Sequence, residues 1–495
     1  MRKWLLPPLL AGALQAAVIR GTVVENFTGQ PLSRASVLLE PVPGSPGTRM
    51  TAHTNRFGFF EFAGEPAGMY LLQASRVFFV TAQYGQKRWN SSGMPLVVTE
   101  SETAFVNMRL ARFGSIAGTV VDENDVGQPE FEVAAYLNTS PPQLVAKATS
   151  DDKGAYRIYG LLPGEYTVRT VGKQLEETGY KPTFAKEAEE IGQARTVDVE
   201  LEQQVNLINV RPLPGQLYSL AVDATPLDPM DMPVTLTLAS DMGRQIVKAA
   251  AHTFTGLPRG DYEVSAEAPS DTPLLQANYQ RISLGRDTAV SLPLRKISPI
   301  RLQFDGVPQQ MAADGSLKVM ARRKDLAGTY DPRILKGSSA ILAAGRWEFA
   351  LDPTDGYYAA GFSGPGPYRR TALAEGWNEA TVTSVGGTVR FTLSSNVASL
   401  HGIVRDAGEP VTGAPVFLEP MDLDPARRVT GTYVAITGQH GQYRFASLAP
   451  GRYRLLSSFE YQMPDSKTMG NAGAREVQLD AHTDATRDLD LYVIR

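Results

Sequence analysis

At 495 residues the chain is too long for one ordinary hydrophobic core. Its 43% hydrophobic and 20% charged residues are those of folded modules, which excludes a disordered chain and a membrane bundle. A formal charge of −4 without a basic run excludes a phosphate-gripping nucleic-acid surface. Cysteine is absent, so disulfides, thiol nucleophiles, thiolate metal sites and iron–sulfur ligation are excluded, and each module must rely on its own core.

The chain opens on MRKWLLPPLLAGALQAA. Arg2 and Lys3, an apolar stretch, then small residues ending at Ala16 and Ala17 have the layout of a secretory signal peptide over residues 1–17. Its apolar run falls short of the roughly 20 residues of a membrane helix. Cleavage would take the charge from −4 to −6. No comparable stretch follows, so the mature chain is expected to be exported without a membrane span, to the periplasm, the cell surface or the medium.

Five copies of one pattern come next. Each begins with an alternating stretch: IRGTVVE, IAGTVVD, YSLAVDA, IRLQFDG and LHGIVRD. A turn and a second strand follow, as in TGQPLSRASVLLEP. Further on, apolar residues two apart mark a half-buried strand: Phe60 and Phe62, Tyr156 and Ile158, His252 and Phe254, Trp347 and Phe349, Tyr443 and Phe445. A Gly-x-Tyr turn then recurs as AGMY, PGEY, RGDY, DGYY and PGRY. Its tyrosines are Tyr70, Tyr166, Tyr262, Tyr358 and Tyr453, spaced by 96, 96, 96 and 95 residues. Such a turn, often with proline before the glycine, reads as punctuation between strands. The ring should close the core while its hydroxyl finds a backbone acceptor, as in the tyrosine corner of immunoglobulin-like sandwiches.

About seven short strands per copy predict one β-sandwich each. The expected boundaries are 18–113, 114–211, 212–297, 298–398 and 399–495, with the third and fourth copies divergent. Only TFAKEAEEIG, residues 183–192, reads as a helix. The joins are short, which predicts a stiff row roughly 150 Å long for beads of about 30 Å.

The motifs G-x-V-x-D/E, G-x-P, A-x-V-x-L, G-x-Y-x-F and L-x-P-G-x-Y resemble the carboxypeptidase regulatory-like domain. They are fullest in copies one, two and five, while copies three and four keep only the later strands. The resemblance implies an all-β tandem array of five immunoglobulin-like/transthyretin-like β-sandwiches behind the signal peptide. It also implies a domain that does no chemistry of its own and whose relatives include starch-binding modules. In related adhesin repeats a first-strand lysine forms an isopeptide bond, but the opening strands here contain no lysine.

Chemistry-bearing motifs are sparse. His53, His252, His401, His440 and His482 have no zinc-hydrolase spacing, and no G-x-S-x-G elbow or phosphate loop occurs. No catalytic residue, metal or cofactor is assigned. The less bland feature is an aromatic insertion before each last strand: Tyr84 and Trp89, Tyr180 and Phe184, Tyr279, Tyr368 and Trp377, Phe459 and Tyr461. Rings flanked by Gln, Lys, Arg and Asn suit stacking on a sugar face with hydrogen bonds at its edge. Tyr84, Trp89, Tyr368 and Trp377 are therefore the candidate ligand-binding residues, provided that they are exposed; the alternative is that these rings cover the sandwich edge or pack between modules. The expected function is a non-catalytic exported binding protein with polysaccharide as the first ligand. A spacer or protein-interaction scaffold at the cell surface is the competing class, and an accessory protein of a hydrolase is the remote one.

Overall fold

A computed structural model describes residues 17–494 except 101, 140–141, 176–177, 225–233, 241–242, 269–275, 325–331, 367–374 and 430. The predicted signal peptide therefore lies outside the described residues, save Ala17, which already pairs with Glu65 in the first strand.

The first domain sets the plan. Its first strand, Ala17–Glu25, alternates buried and half-buried side chains along its length. This strand pairs antiparallel with the fourth, Phe59–Glu65, and parallel with the seventh, Thr103–Leu110. A second sheet runs third–second–fifth–sixth through Met50–His53, Ser36–Pro41, Gly68–Ser75 and Leu96–Val98. The parallel pairing forces the intervening chain to cross the other sheet, so the two sheets face each other over Ile19, Val37, Phe60, Tyr70 and Val106.

The same two-sheet order recurs four times. Five main hydrophobic clusters, centred on residues 17–110, 116–210, 220–294, 300–393 and 398–489, fill the sandwiches. In domains one, two and five a first-strand glycine stands opposite the fourth-strand ring: Gly21 at Phe60, Gly118 at Tyr156, Gly402 at Tyr443. A Cβ at Gly402 would lie 1.8 Å from the Arg487 carbonyl and 3.1 Å from the Tyr443 ring. Only glycine lets the last strand and the ring close over the first strand there.

The tyrosine corner is built as expected in four domains. Tyr70, Tyr166, Tyr262 and Tyr453 are buried, and each donates its hydroxyl to the carbonyl four residues back: Pro66 (2.8 Å), Leu162 (2.8 Å), Pro258 (2.9 Å) and Ala449 (2.8 Å). Tyr358 does not belong to this set. In the fourth domain the corner is Trp347, which is buried and donates Nε1 to Ala343 O at 2.8 Å, the same four-residue step. Gly345–Leu351 is thus the fifth strand, and the fourth is reduced to Ser339–Ala340. Tyr358 begins an additional strand, Tyr358–Ser363, that pairs with the seventh strand, Gly387–Ser394. The motif at AAGRW is Gly-x-Trp, and an indole N–H serves where a phenol O–H serves elsewhere.

Two further expectations are corrected. Residues 183–192 form no α-helix: Lys186 and Glu187 have positive φ, and only a 3₁₀ turn follows at Ile191–Gln193. The domains also do not make an open row. Domain one touches two through Glu202, whose backbone N–H donates to Arg112 O at 3.0 Å, and through the Phe78–Tyr159 edge contact at 5.8 Å. Two meets three where a Cβ on Gly172 would lie 2.4 Å from the Gly256 carbonyl. Three meets four at Glu267, Arg323 and Arg333, and four meets five at Trp377 and Arg427.

Domain one then meets domain five. Lys87 Nζ and Arg88 Nη2 hold the two carboxylate oxygens of Glu460 at 2.8 and 2.7 Å. Backbone bonds run from Ser92 to Phe459 and from Gln462 to Asn90, both 2.9 Å. The five-domain array closes on itself.

Candidate functional site

The loop that carries Tyr84 and Trp89 is tightly braced. Tyr84 N donates to Leu72 O at 2.8 Å and its carbonyl accepts from Met94 N at 2.7 Å. Gln86 donates Nε2 to Trp89 O and accepts from Gln83 N, both 2.8 Å, while Ser91 Oγ accepts from the amides of Lys87 and Arg88. Gly85 has φ +71°, and a Cβ there would meet Met94 Cβ at 2.7 Å. The loop is fixed on one side by domain one and on the other by the Glu460 clasp.

That clasp has its own support in domain five. Glu419 is buried, and burial pushes its carboxyl up, yet hydrogen bonds from Arg454, Ser466 and Arg428 outweigh this and hold it below the usual carboxylate range. Arg454 and Arg428 thereby tie residues 458–474 to the sandwich.

The braced loop forms one wall of a groove of about 380 Å³ at the junction of domains one and two. Tyr84 and Trp89, both half-buried, line it together with Gln86, Asn26, Asn107 and Arg109. Asn26 donates Nδ2 to Glu202 Oε2 of domain two at 3.1 Å and its carbonyl accepts from Arg109 Nη1 at 3.2 Å. The arrangement offers aromatic surface beside amide and guanidinium donors. Sequence reasoning found the rings but missed the polar partners, because Asn26 and Asn107 come from opposite ends of domain one.

The other candidates fare differently. Trp377 is 3% exposed and has no free face for a ligand. Arg322 covers its ring at 4.2 Å, its backbone N–H donates to Arg427 O at 2.6 Å, and its carbonyl accepts from Arg427 Nε at 3.0 Å. Trp377 is instead a ring packed between modules, part of the joint between domains four and five. Tyr368 lies outside the described residues. Phe184 and Phe459 are buried in their own domains. Among the described residues no group of three His, Asp or Glu side chains is placed to hold a metal, and no helix is long and apolar enough to cross a membrane.

The same joint holds Glu375, whose carboxyl is pushed up to about 7 by burial. Its stabilising neutral form is complete below the ordinary value of 4.5 and is lost as pH rises through about 7, a swing of roughly 3 kcal/mol. Glu375→Gln should therefore match the wild type at pH 4.5 and raise the unfolding midpoint of this region at pH 8. Calorimetry across that range checks it, and an equal effect at both ends would contradict a buried neutral carboxyl.

Residues 18–111 and 115–202 each match the profile of the carboxypeptidase regulatory-like domain. These matches make the first two domains similar to the carboxypeptidase regulatory-like domain. Among solved structures, the Bacillus anthracis TIE protein is similar at 13% identity, over 57% of this chain and 51% of that one, with a TM-score of 0.20. The minor pilin GBS52 of Streptococcus agalactiae is similar at 16% identity, over 43% and 100%, with a TM-score of 0.25. The shaft pilin SpaA of Lactobacillus rhamnosus GG is similar at 12% identity, over 41% and 98%, with a TM-score of 0.24. No curated protein matches the chain. The groove lies on the first of these domains, with Leu201 of the second at its edge.

Proposed function

We propose that the chain is an exported, non-catalytic binding protein that holds a polysaccharide in the groove of its first regulatory-like domain. The observation that carries this reading is the lining of the groove, with Tyr84 and Trp89 set among Gln86, Asn26, Asn107 and Arg109. A ring sheds water from the C–H face of a sugar, while amides and a guanidinium bind its hydroxyls. The bracing of the loop supports the same reading, since a preformed site loses less entropy on binding.

Affinity electrophoresis of the full exported chain through gels containing a panel of polysaccharides tests it. At least one glycan should retard the protein, and Trp89→Ala and Tyr84→Ala should each weaken that binding about tenfold. Trp377→Ala serves as a contrast and should leave retardation unchanged. Absence of retardation across the panel, or an unaffected Trp89→Ala variant, overturns the assignment.

A second reading, a scaffold for a protein partner, is favoured by a different observation. The third strand is an open sheet edge in every domain and exposes an apolar side chain there: Met50, Val145, Ile246, Ile334 and Val434. Open edges accept an added strand through backbone hydrogen bonds. On that reading Ile246→Lys and Ile334→Lys would abolish saturable protein association and leave glycan retardation intact.

A further inference from the structure

We infer that domain five positions the groove of domain one: Glu460 is a positioning residue for Trp89, and closure of the array and occupancy of the groove stabilise each other. The second half of this inference rests on the reading of the groove as a glycan site; the first does not. Among the described residues none of domain five lines the groove, yet Lys87 and Arg88, which do, are the pair that holds the Glu460 carboxylate. One loop thus takes part in two contacts at once.

Ser91 is the centre of that loop. Its Oγ accepts from the amides of Lys87 at 3.1 Å and Arg88 at 2.9 Å and donates to Arg88 O at 2.9 Å. Gln86 Nε2 then donates to Trp89 O at 2.8 Å, so the backbone that carries the indole is tied into the same knot. Ser91 is fully buried, and its two neighbours in the chain are the residues bonded to domain five. Asn90 O accepts from Gln462 N, and Ser92 N donates to Phe459 O. Residues 459–462 therefore lie over the centre of the loop.

Domain five brings this cover in a fixed shape. Glu460 N donates to Ser458 Oγ at 3.1 Å, and Ser458 Oγ, fully buried, donates to Tyr492 O at 2.7 Å. When the clasp opens, water reaches Ser91 and competes for its hydrogen bonds, while Lys87 and Arg88 lose the carboxylate that fixes them at the groove wall. A glycan entering the open form would have to order the loop again, which weakens its binding. Linkage makes the effect reciprocal: the factor that closure adds to affinity in the groove is the factor that a bound glycan adds to closure.

Hydrogen exchange of the full chain, with no glycan present, tests the positioning. In Glu460→Lys the amides of Lys87 and Arg88, which bond to Ser91 and not to domain five, should exchange about tenfold faster than in the wild type. The fifth strand of domain one, Gly68–Ser75, should keep its protection. Glu460→Gln, which retains one acceptor oxygen, should fall between. Faster exchange confined to Ser92 and Gln462 would show a contact broken without effect on the loop and overturns the inference, as does equal acceleration in Gly68–Ser75. Affinity electrophoresis with the glycan that most retards the wild type tests the linkage, read as mobility relative to a glycan-free gel so that the altered charge cancels. Both variants should bind more weakly, Glu460→Lys about tenfold, and that glycan should slow exchange at the Ser92 amide of the wild type. Unchanged affinity in Glu460→Lys overturns the linkage. A wild type retarded by no glycan overturns the glycan reading and the linkage with it, while the exchange result still decides the positioning.

Discussion

Glu460→Lys should open the closed array. In the wild type the Glu460 carboxylate, 6% exposed, accepts from Lys87 and Arg88 of the first domain. A lysine there replaces two attractions by two repulsions. Lys87 and Arg88 are about half exposed, so solvent screens part of that change, and the remaining swing is on the order of 3 kcal/mol. That shifts a closed–open equilibrium roughly a hundredfold. The hydrogen bonds that remain to oppose it are the three from Ser92 and Gln462 and one from Gln439 to Ser45 at 3.3 Å, none of them charge-assisted. Small-angle scattering should show the maximum dimension rising toward the ~150 Å of five domains laid in a row. High salt should move the wild type the same way, though less. Unchanged scattering in the variant, with all domains folded, would mean that Glu460 does not govern closure.

The fourth-domain corner carries the second large effect. Trp347→Ala removes a fully packed indole and its bond to Ala343 and should cost about 4 kcal/mol in that domain. Tyr358→Ala, at a half-buried position on an added edge strand, should cost less than about 1 kcal/mol. In a five-domain chain one global midpoint is ill-defined, so hydrogen exchange over residues 300–394 is the suitable readout. Equal losses of protection in the two variants would reject the assignment of Trp347 as the corner.

These two cases mark how far residue patterns carry. The strands were legible because alternation and turn chemistry act within a few residues. Tyr70, Tyr166, Tyr262 and Tyr453 could be placed for the same reason, since the corner bond spans four residues. The fourth copy misleads because DGYY happens to sit at the repeat spacing, while the working motif, 11 residues earlier, uses tryptophan. Of the site, composition pointed to Tyr84 and Trp89, but also to Trp377, whose surroundings are set by Arg322 and Arg427. A ring in a polar loop reads alike whether it meets solvent or the next domain.

The seven-strand plan, the absence of cysteine chemistry and the family resemblance of the first two domains were all carried by local signals: side-chain alternation, glycine at close approaches, and Gly-x-Tyr turns. Closure of the array, the groove beside Trp89 and the cover that domain five lays over its loop were decided only in three dimensions. Each joins side chains far apart in the chain, and Lys87 and Glu460 are separated by 373 residues. Such contacts depend on the angles at the domain joints, and these are set by a few packed residues such as Gly172 and Trp377 rather than by any periodic pattern.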